Sequence, residues 1–301
     1  MADIIDDEIC VDAVPPVVAD VVEMIPALPS LRFAISLNLD APIVLLDWSF
    51  IVFWRFFATK SWYIRVRPAP GVDDPPMILS SEHAFVESFT RSFVKSIETI
   101  RKKYGAPKGN VVALMDAPRA TLWRKAIFPT YKDNRDFKKS PIERDFFVIA
   151  ERLQAQLGVQ GVRMDTLEAD DLAYLFKRSL VPLGAKNVVM VTDDNDWGQL
   201  ACDEIRVRNV EDKDIGVRCG VLQQKILCGD PGDNIPPAFK RCGKVTGARY
   251  AADACALESF FVKNPEARCT FERNRKLIDL SCIPQVHVDA FESAVVIVPS
   301  V

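Results

Sequence analysis

Three short apolar runs in this chain each lead into an acidic residue, and that pattern limits the fold more than any other feature. Ile43-Val44-Leu45-Leu46 runs into Asp47, Val111-Val112-Ala113-Leu114-Met115 into Asp116, and Val188-Val189-Met190-Val191 into Thr192, Asp193 and Asp194. Short runs without polar alternation suit strands buried on both faces of a sheet. Helical patterns separate them. Phe85, Phe89, Phe93, Ile97 and Ile100 recur at helical spacing, which predicts a helix from Ser81 that stops at Gly105, before Pro107. Residues 48–60, 142–157 and 168–180 also read as helix, Val162 as a short strand, 205–209 as an outer strand and 66–80 as a proline-rich loop. The alternation defines an α/β chain with a mostly parallel central sheet flanked by helices. Sites in such sheets lie beyond the carboxyl ends of the strands. If the three strands are neighbours, Asp47, Asp116 and Asp194 converge at one edge.

The chain has 301 residues, 49% hydrophobic and 26% charged, enough for one large core with a small appendage and unlike a disordered or collagen-like chain. No apolar run approaches the roughly 20 residues needed to cross a bilayer, so no membrane partner is expected. The acidic start, Met1-Ala2-Asp3-Ile4-Ile5-Asp6-Asp7-Glu8, lacks the basic flank of a secretory signal. The eight Cys include no C-x-x-C pair, which argues against a zinc module. Reduced thiols and an intracellular setting, cytoplasmic or nuclear, are the expectation.

The formal charge of −3 hides an uneven distribution. Residues 1–40 hold eight acids and only Arg32, so this stretch reads as an acidic extension (1–38) without sustained periodicity. Residues 119–144 carry a net +5, and Lys240, Arg241, Lys244 and Arg249 form a second basic knot. Two basic knots beside carboxylate clusters suggest a phosphate path that leads to metal.

The acids fall in five groups. They are Asp47; Asp116; Glu168, Asp170 and Asp171; Asp194 and Asp196; and Asp230 and Asp233 in Gly229-Asp230-Pro231-Gly232-Asp233-Asn234. Taken singly, each has an ordinary reading as a turn, a cap or a solvated helix start. Together they carry a cost: two unit charges 4 Å apart repel by about 4 kcal/mol at an effective dielectric of 20. Converging carboxylates therefore call for divalent cations, and oxygen-only ligands favour Mg2+ or Mn2+ over zinc. Two such ions clamp a phosphodiester for hydrolysis. Helical periodicity pairs Glu168 with Asp171 but swings Asp170 away.

These residues resemble the flap endonuclease and 5′–3′ exonuclease family in its phage and bacterial form. The resemblance runs from Ile43 to about residue 255. It rests on Leu45-Leu46-Asp47-x-Ser49; on Asp116 followed by Thr121-x-x-Arg124 and Pro129-x-Tyr131-Lys132-x-Asn134-Arg135; on Glu168-Ala169-Asp170-Asp171; on Thr192-x-Asp194-x-Asp196-x-x-Gln199-Leu200; and on Gly229 to Pro236. It implies a PIN-like nuclease core over 39–220 with a helical basic arch at about 119–150. A small helix–three-turn–helix DNA-binding segment would follow over 221–275, then a tail over 276–301. The implied activity is phosphodiester hydrolysis near a 5′ end of DNA, or of an RNA–DNA hybrid, in replication or repair.

By resemblance, Asp47, Asp116, Glu168 and Asp170 hold a catalytic ion, and Asp171, Asp194, Asp196, Asp230 and Asp233 hold or support a second. Lys132 and Arg135 approach the scissile phosphate. Arg124, Tyr131, Lys240, Arg241 and Lys244 bind DNA, with Tyr131 either stacking on a base or packing in a helix. The chain departs from the family at Trp48, usually glycine, and at Trp54, usually arginine; both changes bear on how the 5′ end is held. A glycine displaced within Arg241-Cys242-Gly243-Lys244 argues against the K+ that this hairpin often coordinates. No sliding-clamp peptide is recognisable, and a monomer from a phage or large DNA virus would suit the pattern. A small-molecule phosphohydrolase of the haloacid dehalogenase type would need a second Asp where Ser49 stands. The remaining alternatives are a PIN-type RNA-processing nuclease and a non-catalytic DNA-binding relative.

Overall fold

The structure is a computed structural model and describes residues 33–66, 78–135, 142–216 and 220–300. Five parallel strands form the central sheet. In sequence order they are β2 (Ile43–Asp47), β3 (Val111–Met115), β4 (Val159–Arg163), β5 (Val188–Val191) and β6 (Ile205–Arg208), and their spatial order is β4-β3-β2-β5-β6. The three acid-ending runs are thus the three adjacent central strands. Leu46 pairs with Ala113 on one side and Val191 on the other, and Asp47 lies opposite Leu114.

Successive residues of β2 feed opposite layers, as strand geometry requires. Ile43 and Leu45 join Leu172, Phe176 and Phe291 in one core, while Val44 and Leu46 join Phe56, Phe89 and Phe146 in the other. The second layer consists of α1 (Trp48–Val66), α2 (His83–Lys103) and α4 (Asp145–Leu157). The spaced phenylalanines of α2 point into it: Phe85 and Phe89 meet Phe146 with ring centroids 5.4 and 5.0 Å apart. The first layer includes α5 (Ala169–Leu180) and α10 (Gln285–Ala294). A short α3 (Arg124–Ile127) lies in the basic stretch.

A third core lies among α6 (Val221–Cys228), α7 (Lys244–Ala252), α8 (Ala254–Lys263) and α9 (Pro265–Ile278), with Leu227, Phe261 and Phe271 at its centre. The connection between α6 and α7 turns at Gly229. Its φ is +71°, and a Cβ there would stand 2.4 Å from the Ile235 carbonyl oxygen, so only glycine fits.

The chain differs from its sequence reading at both ends. Residues 33–37, inside the stretch read as an extension, form β1 (Phe33–Leu37). It pairs in parallel with β7 (Val295–Pro299), inside the stretch read as a tail. Only Ile35 and Leu37 of β1 are buried, which is too short a pattern to register as alternation, and its partner lies at the other end of the sequence. Residues 1–32 of the acidic stretch and 136–141 of the basic arch lie outside the described residues. Helix α1 also runs to Val66 rather than 60. Among the described residues, no helix is long and apolar enough to cross a membrane.

Candidate active site

The end of the central sheet gathers three carboxylates. Asp47 closes β2, and its Oδ2 accepts a hydrogen bond from Thr192 Oγ1 at 2.8 Å and its Oδ1 one from the Phe50 amide at 3.1 Å. Thr192, just past β5, also accepts from the Asp194 amide at 3.0 Å, which holds that turn beside Asp47. Asp116 accepts from Ser49 Oγ at 2.7 Å and from the Ala169 amide at 2.9 Å. The last bond joins the end of β3 to the first turn of α5. Burial, then the like charges of Asp116 and Asp194, outweigh these donors and push the Asp47 pKa up to about 7.

The second group sits at the start of α5. Glu168 is its N-cap and Asp171 its third residue, and the two form a reciprocal capping box. Facing oxygens of Glu168, Asp170 and Asp171 all lie within 4.8 Å of one another. This corrects the expectation that Asp170 swings away. Glu168 has extended backbone (φ −85°, ψ 166°), so helical periodicity does not apply across the cap. Burial drives the Asp170 carboxyl well above the usual range; Arg124 opposes this, while Asp171 and Glu168 add to it. Burial would also raise Glu168, but Lys132 and Arg124 outweigh it and hold that carboxyl below its ordinary value.

Arg124, expected at the DNA surface, is 1% exposed and acts inside this cluster. Its guanidinium donates to Glu168 at 2.8 Å and to both oxygens of Asp171 at 2.7 Å, and its Nε donates to the Leu277 carbonyl at 2.9 Å. Tyr131, a candidate for base stacking, is also buried, and its hydroxyl donates to Glu168 at 2.9 Å. Both assignments are corrected for the same reason: an isolated carboxylate at this depth is costly, and the nearest basic and phenolic donors are drawn in to compensate it. Asp171, expected among the metal ligands, is fully buried, and its oxygens are engaged by Arg124, by Trp123 Nε1 at 2.9 Å and by the Glu168 amide.

Lys132 stands where the two halves of the site meet. Its backbone is left-handed (φ 58°); its Nζ donates to Glu168 and lies 3.7 Å from Asp233. Arg135 is half exposed and pairs with Asp233. Asp196 and Asp230 share Lys225, at 2.5 and 2.8 Å. Lys240, Arg241 and Lys244 are exposed around the end of the α6–α7 connection. Trp48 does not reach the site. Its ring is buried 5.3 Å from Phe93, edge to face, while Trp54 carries the Arg55 guanidinium 4.7 Å above its ring.

Sequence reasoning missed the roles of four residues. Ser49 and Thr192 were visible inside the aspartate motifs, but only as spacing. Trp123 adjoins Arg124 without a distinguishing pattern. Lys225 sits on a helix with no motif around it.

The chain matches the family model described as 5′-3′ exonuclease, N-terminal resolvase-like domain, over residues 42–225, and it belongs to that family. It is 31% identical over 186 residues to DNA polymerase I of Treponema pallidum, covering 53% of this chain and 18% of that one. It is 30% identical over 119 residues to the flap endonuclease Xni of Aeromonas salmonicida, covering 39% of this chain and 43% of that one. The chain therefore spans less than half the length of these relatives. The solved bacteriophage T5 D15 flap endonuclease, in a pseudo-enzyme-product complex with DNA and metal ions, superposes with a TM-score of 0.59 at 19% identity, over 84% of this chain and 93% of that one. The T5 5′-exonuclease with bound divalent zinc gives 0.58 at 20% identity, over the same shares. At these identities the likeness concerns the fold.

Proposed function

We propose that this chain is a structure-specific 5′ nuclease. It hydrolyses DNA phosphodiesters near a free 5′ end, at flaps, forks or nicks, with two divalent cations, Mg2+ or Mn2+. The observation that carries this reading is the meeting of Asp47, Asp116 and Asp194 at the ends of three adjacent strands, with Glu168 and Asp170 fixed beside them by the Ala169 amide. The donor set fits hard divalent ions: it is all oxygen, and Asp47 is raised first by burial and then by the like charges of Asp116 and Asp194. Asp47, Asp116, Glu168 and Asp170 would hold one ion, and Asp194, Asp196, Asp230 and Asp233 the other. Bound there, such ions supply a nucleophilic water and stabilise the leaving oxygen.

The remaining work falls to the chain itself. Thr192 and Ser49 through their hydroxyls, and Phe50 and Ala169 through their amides, orient Asp47 and Asp116, each oxygen accepting one of these bonds. Arg124 and Asp171 fix the N-terminus of α5, so Glu168 and Asp170 keep their direction. Lys132, held as a cation by Glu168 and Asp233, is placed to meet a scissile phosphate and the charge that builds on it. The exposed Lys240, Arg241 and Lys244 would grip duplex phosphates without reading sequence.

The relatives' flap-endonuclease names and the DNA in the T5 complex support this substrate class. The test is incubation with 5′-labelled flap, nicked, single-stranded and RNA–DNA hybrid substrates, in Mg2+ and in chelator. Mg2+-dependent products from flaps or nicks are expected; binding without cleavage under all conditions would leave a non-catalytic DNA-binding protein.

A further inference from the structure

A furrow of about 450 Å³ runs between α1 and α2, outside the carboxylate site. Arg55, Thr59 and Trp62 line it from α1 at i, i+4 and i+7, so they share one helix face. Arg91, Ser92 and Lys95 line it from α2. The two helices are antiparallel, with Trp48 beside Phe93 and Tyr63 beside Phe85, so Arg55 lies near Lys95 and Trp62 towards the other end. Thr59 and Ser92 form the floor, their hydroxyls 3.1 Å apart.

Three features mark the furrow as built for a ligand. Its lining is cationic, with no carboxylate among the lining residues. The Arg55 Nε is buried and, among the described residues, has no hydrogen-bond partner, and its guanidinium lies over the Trp54 ring. Trp62 is 53% exposed, whereas Trp48, Trp123 and Trp197 are buried. An exposed indole at the end of a cationic track, with hydroxyls beneath, is the combination that holds nucleic acid strands by phosphate contact and base stacking. An acidic peptide would use the cations but not the ring face. The furrow also begins about 12 Å along α1 from Asp47, since each helical residue rises 1.5 Å.

We propose that this furrow binds a single strand of nucleic acid, with phosphates against Arg55, Arg91 and Lys95 and a base on Trp62. The inference rests on the preceding functional reading only for the strand's origin: it would be an unpaired arm of the same substrate.

The test is anisotropy of fluorescein-labelled oligo(dT) with the full chain in chelator, so that binding is read without cleavage. Trp62→Ala should weaken binding roughly 5- to 100-fold, the range that one base stack supplies, and Trp62→Phe should restore most of it. Arg91→Ala with Lys95→Ala should lower the slope of log affinity against log salt by about 1.4, since each single-strand phosphate contact contributes about 0.7. All three side chains are exposed, and unchanged thermal melting confirms that the variants fold. Wild-type affinity and salt slope in these variants would overturn the proposal. So would loss of oligo(dT) binding confined to Lys240→Ala with Lys244→Ala, or competition by inorganic phosphate or poly-glutamate as strong as by oligo(dT). The two readings fail separately. A chain that never cleaves in Mg2+ yet loses oligo(dT) with Trp62 keeps the furrow and loses the nuclease. A chain that cleaves flaps while its furrow variants bind normally does the reverse.

Discussion

The two acidic groups of the site are compensated in opposite ways. At the strand ends, Asp47 and Asp116 receive hydroxyl and amide donors and, among the described residues, no ion pair. At the start of α5, Glu168 and Asp171 are matched by Arg124, and Glu168 by Lys132 as well. The first group is left with a raised Asp47; in the second, Glu168, which both cations reach, is lowered, while burial still raises Asp170. The contrast separates a place prepared for an added cation from a place whose cations are part of the fold. It predicts that substitutions of the strand-end acids act on chemistry, and that removal of the cation Arg124 from the second group acts on folding.

The largest effect should come from the strand-end group. Asp116→Asn with Asp194→Asn should reduce Mg2+-dependent turnover on a 5′ flap by at least about a thousandfold, roughly 4 kcal/mol of transition-state stabilisation, while urea unfolding stays near wild type. Unchanged turnover would remove these two acids from the reaction. Unfolding of the variant would erase the contrast itself.

In the α5 group the expectation inverts. Arg124→Met strips the cation from buried Asp171 and Glu168, and breaking a buried pair typically costs about 3–5 kcal/mol. Urea unfolding should shift by that order in chelator and in Mg2+ alike. A shift below 1 kcal/mol would mean that Arg124 is not the main compensation of these acids. Lys132→Ala offers the intermediate case: the fold should survive and turnover should fall far more than affinity.

Proton linkage gives a third probe. The folded Asp47 carboxyl, with a pKa of about 7, binds its proton more tightly than in the unfolded chain, where the value is 3.8. The folded state thus holds more protons between these values, and metal-free stability should fall as pH rises from about 4 to about 7, by at most about 4 kcal/mol from this group. Asp47→Asn should remove that part of the slope, and a divalent cation should raise the melting temperature more at pH 8 than at pH 5. A metal-free stability that rises with pH, unaltered by Asp47→Asn, would contradict the burial and like-charge crowding of Asp47 argued here.

The acids of both groups were legible in the sequence, but the residues that compensate the second were not, for a physical reason. Strand-end acids announce themselves because β2, β3 and β5 are each continuous apolar runs and parallel sheets align their ends. Only adjacency had to be supplied by the fold. The α5 cluster depends on reach. Arg124 and Tyr131 carry the residue types of a DNA surface, and nothing local signals that burial of Glu168 and Asp171 draws both side chains inward. Lys225 is harder still, because its partners Asp196 and Asp230 lie on two different turns. The β1–β7 pair escaped because its strands stand at opposite ends of the chain.

The smallest predicted effect tests whether compensation at α5 extends beyond charge. Trp123 donates its indole N–H to Asp171 Oδ2 at 2.9 Å, and its ring lies 6.1 Å from that of His287, whose Nδ1 is 3.0 Å from Thr166 Oγ1. Trp123→Phe keeps most of the apolar packing and deletes the donor. A hydrogen bond to a charged group is worth about 1.5–3 kcal/mol, and Arg124 still satisfies the same oxygen, so a loss near the lower figure is expected in urea unfolding. Combined with Arg124→Met, the two losses should fall short of additive or exceed it, because both donors serve one carboxylate oxygen. Strict additivity would mean that Trp123 and Arg124 act on separate parts of the fold, and the α5 cluster would then be a set of independent contacts rather than one compensated unit.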